Sequence, residues 1–144
     1  MRNVICTQTL LFTAIVLSLA AGCGQRGNYP ALGSVSGKVT LDGTPVSGAI
    51  IEFTPVSDGR PSSGETDSAG NYTLQYTSAA KGARIGEHAV KISTFRQGFE
   101  YGGAEGFEDV KGRTEEIPKK YFENPIVIEV KAGSNTIDLE LTSD

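Results

Sequence analysis

From Val35 onward the chain alternates apolar and polar residues in short runs. Val35, Gly37, Val39 and Leu41 interleave with Ser36, Lys38, Thr40 and Asp42, and Ala49, Ile51 and Phe53 interleave with Ile50, Glu52 and Thr54. A two-residue period belongs to a strand with one face buried and one face wet. Asp42-Gly43-Thr44-Pro45 separates the two runs with turn chemistry, so the pattern predicts a hairpin there. Further strands are predicted at Tyr72, Leu74 and Tyr76, and at His88, Val90 and Ile92. Ile126, Ile128 and Val130 face inward before a turn at Ala132–Asn135, and Ile137, Leu139 and Leu141 after it, which reads as a closing hairpin. Helical spacing is not sustained over about ten residues anywhere beyond the first segment. The pattern predicts an all-β sandwich of six or seven short strands over residues 34–144.

The first residues are patterned differently. Arg2 is followed by a largely apolar run of 12 residues, Leu10–Ala21, and then by Gly22-Cys23. A membrane-spanning helix needs about 20 such residues, so a secretory leader over residues 1–22 is expected instead. Leu19-Ala20-Ala21-Gly22-Cys23 resembles the lipobox of bacterial lipoproteins, with Ala20 where that family prefers Leu. The resemblance implies cleavage between Gly22 and Cys23 and acylation, palmitate included, of Cys23. Ordinary cleavage near Ala21 or Gly22 would instead leave a free thiol. Cys6 and Cys23 are the only cysteines, and loss of the leader would leave Cys23 without a disulfide partner. Residues 23–33, rich in glycine and aperiodic, read as a lipidated terminus and flexible tether.

Loss of the leader removes Arg2 and no acid, which leaves 12 basic residues against 17 acidic, a balance of −5. No basic stripe interleaved with aromatics is present, so nucleic acid is not an expected partner. Glycine supplies 18 of 144 residues, well above the usual share of about 7%, and points to many turns. Residues 97–118 combine glycines, acids and Phe99, Tyr101 and Phe107 without a period. A stretch of this kind reads as a mobile acidic surface loop. Its aromatics would either anchor a partner or fold back over the sandwich.

Gly37-Lys38-Val39, Asp42 to Ala49, Thr66-Asp67-Ser68-Ala69-Gly70-Asn71-Tyr72 and Gly86 to Ile92 look like the carboxypeptidase regulatory-like domain. That resemblance implies a seven-stranded, transthyretin-like Greek-key sandwich. His88 departs from the family, which usually places an aromatic there.

The residues offer little chemistry. His88 is the sole histidine, so a copper site of two His and a Cys cannot be assembled, and carboxylates alone would have to complete a zinc site around it. A core histidine is the simpler reading. No G-x-S-x-G elbow serves a serine nucleophile. Glu108-Asp109 and Glu115-Glu116 read as a solvated charged surface. Asp67 with Ser68 and Asn71, or Asp42 near Asp58, would offer hard oxygens to calcium, but such residues in turns usually bond their own backbone. The chain is therefore expected to have no catalytic residues, cofactor or metal. The expected role is a non-catalytic, lipid-anchored cell-envelope sandwich that contacts an envelope protein or glycan. Its expected location is exported, held by Cys23 to the cell membrane or outer membrane, facing periplasm or exterior. A small-ligand or carbohydrate-binding module of the same fold is the alternative.

Overall fold

The computed structural model describes residues 29–100 and 109–144. The leader, Gly22 and Cys23, and the loop residues Tyr101 and Phe107 lie outside the described residues. Among the described residues the fold is an all-β sandwich of two sheets. One long strand, β1 (Leu32–Leu41), begins inside the expected tether and forms the axis of the first sheet. The remaining strands are β2 (Thr44–Pro45), β3 (Ile50–Pro55), β4 (Ser62–Glu65), β5 (Asn71–Thr73), β6 (Gln75–Thr77), β7 (Ala80–Lys81), β8 (Ala83–Arg84), β9 (Gly86–Ser93), β10 (Ile126–Val130), β11 (Gly133–Thr136) and β12 (Leu139–Leu141). A single helical turn, α1 (Lys120–Glu123), precedes β10.

In the first sheet β11 and β12 run parallel to β1 along one side. The short strands β8, β5 and β2 pair antiparallel along the other. The second sheet has the order β10-β9-β3-β4-β6-β7. Val35, Val39, Ala49, Ile51, Phe53, Leu74 and Val130 are fully buried between the sheets, with Val90, Ile92, Leu139 and Leu141 nearly so. These are the residues that the alternation turned inward. Ile126, Ile128 and Ile137 pack against the core while partly exposed.

Neither predicted hairpin joins its two long runs. At the first, Asp42 (φ 50°) and Gly43 (φ 78°) form a tight turn of the type that right-twisted strands require. The strand it returns is only Thr44–Pro45, extended by the Val46 N–H bond to the Val39 carbonyl. The chain then turns at Gly48 (φ 65°), and β3 enters the other sheet. At the second, β10 pairs with β9, whereas β11 and β12 pair with β1. The Asn135 side chain holds this corner: its Oδ1 accepts from Lys131 N at 2.9 Å and its Nδ2 donates to Lys131 O at 2.8 Å. The run from Tyr72 to Tyr76 also divides. β5 belongs to the first sheet and β6 to the second, with Leu74 buried at the bend. These corners turn the expected six or seven strands into more numerous, shorter segments.

The sandwich has two distinct ends. One carries the start of β1, the β3–β4 loop and the start of β9. The other carries the Asp42-Gly43 turn, the end of β9 and the described residues that follow it, 94–100 and 109–118. The 10-residue β1 sets their separation at roughly 30 Å.

Candidate functional site

The segment expected to be a mobile loop leaves the distal end as an arm with an ordered neck. Arg96 and Arg113 exchange backbone hydrogen bonds at 3.0 and 2.7 Å, and Phe99 and Val110 do so at 2.9 and 2.8 Å. Below these rungs the arm is latched to the end of β9 by Glu115. Its Oε1 accepts from Thr94 N (2.9 Å), Thr94 Oγ1 (2.8 Å) and Ile117 N (2.9 Å), and its Oε2 accepts from Ser93 Oγ (2.5 Å). Thr94 and Ile117 are buried beneath this carboxylate. Burial alone would raise the Glu115 pKa, but the donors from Ser93, Thr94 and Ile117 outweigh it and hold the carboxyl at about 2. Glu115 is thus the fastening of the neck, not the free surface charge that its place beside Glu116 suggested. Two ion pairs brace the arm: Arg96 to Glu65 at 2.6 Å and Arg113 to Glu116 at 3.0 Å. Arg113 also donates to the Ser47 carbonyl.

The neck exposes apolar groups. Phe95, Phe99 and Val110 are 58%, 52% and 42% exposed, so Phe99 does not fold back onto the sandwich. Such side chains on a braced stem suit contact with another surface, since little ordering remains to be done on binding. Phe95 and Val110 were not singled out from the sequence, because nothing in an aperiodic stretch distinguishes an exposed apolar residue from a covered one.

A second concavity lies on the outer face of the second sheet. Glu52 and Thr54 on β3, Ala89 and Lys91 on β9, and Tyr121, Phe122 and Pro125 at α1 line a cleft of about 430 Å³. Glu52 and Lys91 are directly opposed across the two strands. The size and the mixture of aromatic, acidic and basic groups fall within the range of small-molecule sites.

The remaining candidates sit apart. Asp67 Oδ1 accepts from Ala69 N and Asn71 N, both at 2.9 Å, and the Asn71 amide reaches Asp67 Oδ2 at 3.2 Å. The Asn71 backbone bond leads the effects that lower its pKa. Asp42 accepts from Ser143 N at 3.0 Å at the distal end, whereas Asp58 lies in the β3–β4 loop at the other, so the two do not meet. Among the described residues no three of His, Cys, Asp and Glu converge as metal ligands.

His88 is 1% exposed and points inward beside Phe53, with ring centroids 5.9 Å apart. Its Nδ1 donates to the Gly86 carbonyl at 3.0 Å, while Nε2 has no partner. Ser62 is also buried with an unpartnered hydroxyl, but β3 separates β4 from β9, and the two residues form no nucleophile–base pair. Burial lowers the His88 pKa, opposed by the Gly86 carbonyl and assisted by Arg84. Stability contributed by the neutral ring is complete above the ordinary value of 6.5 and is lost as pH falls below it toward the folded value. His88→Phe keeps the shape and removes the unpaired nitrogen. It is expected to raise stability by about 1 kcal/mol and to flatten the urea midpoint between about pH 7 and pH 5. A midpoint that falls equally in both proteins would contradict this.

No family model matches the sequence, and no curated protein matches it. Among solved structures the chain is similar to the crystal structure of a DUF3823 family protein from Parabacteroides merdae, at 16% identity and a TM-score of 0.39. The match covers 79% of this chain and 47% of that one, so this chain spans about half of that protein's length.

Proposed function

We propose that this protein is a lipid-anchored, non-catalytic component of a bacterial cell envelope, built on a carboxypeptidase regulatory-like sandwich, that engages another envelope protein or glycan through its distal arm. The observation that carries the reading is the placement of the arm. Phe95, Phe99 and Val110 stand on a braced neck at the end of the sandwich opposite the entry of the chain. A chain held at Cys23 would therefore present them away from the bilayer. The leader-like first segment and the sequence Ala21-Gly22-Cys23 support the anchor. A non-catalytic role is supported by the position of His88, enclosed beside Phe53 and, among the described residues, bonded only to the Gly86 carbonyl. Among the described residues no helix is long and apolar enough to cross a membrane.

Radiolabelled palmitate should enter the wild-type protein in cells and fail to enter Cys23→Ala. Label in both, or in neither, would remove the anchor. Phe99→Ser should reduce cross-linking of the protein to its envelope partner without shifting the thermal midpoint, because the ring is exposed. The cleft beside α1 favours the alternative of a small-ligand or glycan module. Saturable chemical-shift changes confined to Glu52, Lys91, Tyr121 and Phe122 on titration with glycans would select that reading.

A further inference from the structure

The entry end of the sandwich carries a surface of a different character from the arm. Tyr29 stands against Tyr76 edge to face, with ring centroids 6.2 Å apart. The Arg60 guanidinium lies over the Tyr76 ring, 5.5 Å from its centroid. Arg84 reaches the same loop and donates to the Asp58 carbonyl. Ile85 is bonded through its N–H to Ala31, and Val56 through its N–H to Glu87. Tyr29, Val56 and Ile85 are 42%, 61% and 39% exposed, so three of the large exposed apolar side chains collect at this end.

Its charges are arranged differently from those of the arm. Both ion pairs between described residues, Arg96–Glu65 and Arg113–Glu116, lie at the distal end. Among the described residues Arg60 and Arg84 face no carboxylate partner: one rests on a ring and the other on a backbone carbonyl. At this end two arginines outside any ion pair stand beside two tyrosines and exposed aliphatic groups, with Asp58 and Glu87 also exposed there. Tyrosines at the headgroup level, guanidinium groups facing phosphate and shallow aliphatic contacts are the means by which soluble surfaces lie on bilayers.

Chain length limits what else this end can meet. Five residues separate Cys23 from Tyr29, and at about 3.5 Å per residue they hold Tyr29 within roughly 20 Å of an acylated Cys23. Resting on the proposed anchor, we infer that the Tyr29–Tyr76–Arg60–Arg84 end is a membrane-contact face that seats the sandwich upright on anionic phospholipid, with the arm directed outward. The tyrosines and Ile85 enter the headgroup region, and the two arginines engage lipid phosphate.

The chain contains no tryptophan, so one introduced residue is a unique reporter. Tyr29→Trp and Phe99→Trp are prepared as full-length lipidated protein in vesicles of phosphatidylethanolamine and phosphatidylglycerol containing brominated acyl chains. Trp at 29 should be blue-shifted and quenched severalfold more than Trp at 99. Adding Arg60→Gln and Arg84→Gln should abolish most of that difference. In the unlipidated Cys23→Ser chain, the same pair of changes should weaken vesicle binding by about fivefold per arginine, with a strong salt dependence.

Palmitate carried on Cys23 with equal quenching at both reporters would overturn the contact face and leave the anchor intact. Absence of Cys23-dependent label would overturn the anchor alone. The contact face would then stand if the unlipidated chain still bound anionic vesicles through Arg60 and Arg84, and fall if it did not. Cross-linking of position 29 to a protein in cells, without quenching by lipid, would assign this end to a protein partner and overturn the inference.

Discussion

Gly37→Ala is expected to destabilise the protein by about 4 kcal/mol, enough to unfold a domain of ordinary stability at moderate temperature. Gly37 lies in β1 where the chain passes from β11 to β12. The Ile137 N–H donates to the Ser36 carbonyl at 2.8 Å, which brings the peptide of Ile137 directly over Gly37. A Cβ at Gly37 would lie 1.8 Å from the Ile137 carbonyl oxygen. Gly37 is backbone within a paired strand, and the Ile137 peptide is pinned between β11 and β12 by its bond to Ser36, so neither yields cheaply. The same oxygen accepts the Tyr72 hydroxyl at 2.7 Å, and Tyr72 is paired with Gly37 across β5. Burial raises the Tyr72 pKa, which keeps the phenol protonated as a donor throughout the usual pH range. Displacing Ile137 would therefore also orphan a buried hydroxyl. Gly43→Ala is the control. Its Cβ would meet nothing within 4 Å, so only the left-handed backbone (φ 78°) is penalised, at about 1–2 kcal/mol. Urea denaturation should separate the two clearly, and equal midpoints would show that β1 and Ile137 are not in such close contact.

Glu115→Ala is expected to lower stability by about 2 kcal/mol, after allowing for solvent that competes at the open side of the carboxylate. The change leaves Thr94 N and Ile117 N without their acceptor, and both belong to buried residues. Glu115→Gln should lose less, because an amide oxygen can still receive the Oε1 set of donors. The acid dependence separates the variants further. The folded carboxyl is held at about 2 against an ordinary 4.5, so its contribution is complete above pH 4.5 and is lost as pH falls from there toward 2. Glu115→Gln should remove that segment of the pH profile. Exchange of the Arg96, Phe99, Val110 and Arg113 amides should accelerate in Glu115→Ala, since the rungs above the latch depend on it. Unchanged exchange would separate the neck from Glu115.

The faces of the strands were legible in the sequence, and their partners were not. Alternation told that Ile51, Phe53, Val90, Ile92, Leu139 and Leu141 point inward, because a period of two is a property of the strand itself. It could not tell that Ile51 and Val39 lie in different sheets, or that Val130 and Leu139 do. Those outcomes depend on corners at Gly48 and Asn135, where one backbone conformation or one side-chain amide redirects the chain. The histidine was legible as a core position from its phase with Val90 and Ile92. The arm was legible only as an irregular, glycine-rich stretch. Its fastening uses Ser93, Thr94, Glu115 and Ile117, which are about twenty residues apart in sequence and carry no shared pattern. Phe99 was marked by its type, while Phe95 and Val110 gained significance only from their exposure beside it.

The pairing of β1 with both β11 and β12 has a consequence for the order of assembly. Lys38 N is bonded to Asp138 Oδ1, and Asn135 to Ser34, contacts that span 100 and 101 positions. As the chain emerges from the ribosome, β1 must wait for residues about 100 positions later before one of its sides is zipped. Closure of so long a loop places the molecule among slowly maturing topologies, in milliseconds to seconds rather than microseconds. During that delay the edge of β1 offers unpaired amides to any passing strand, and rapid arrival of β11 and β12 is its protection.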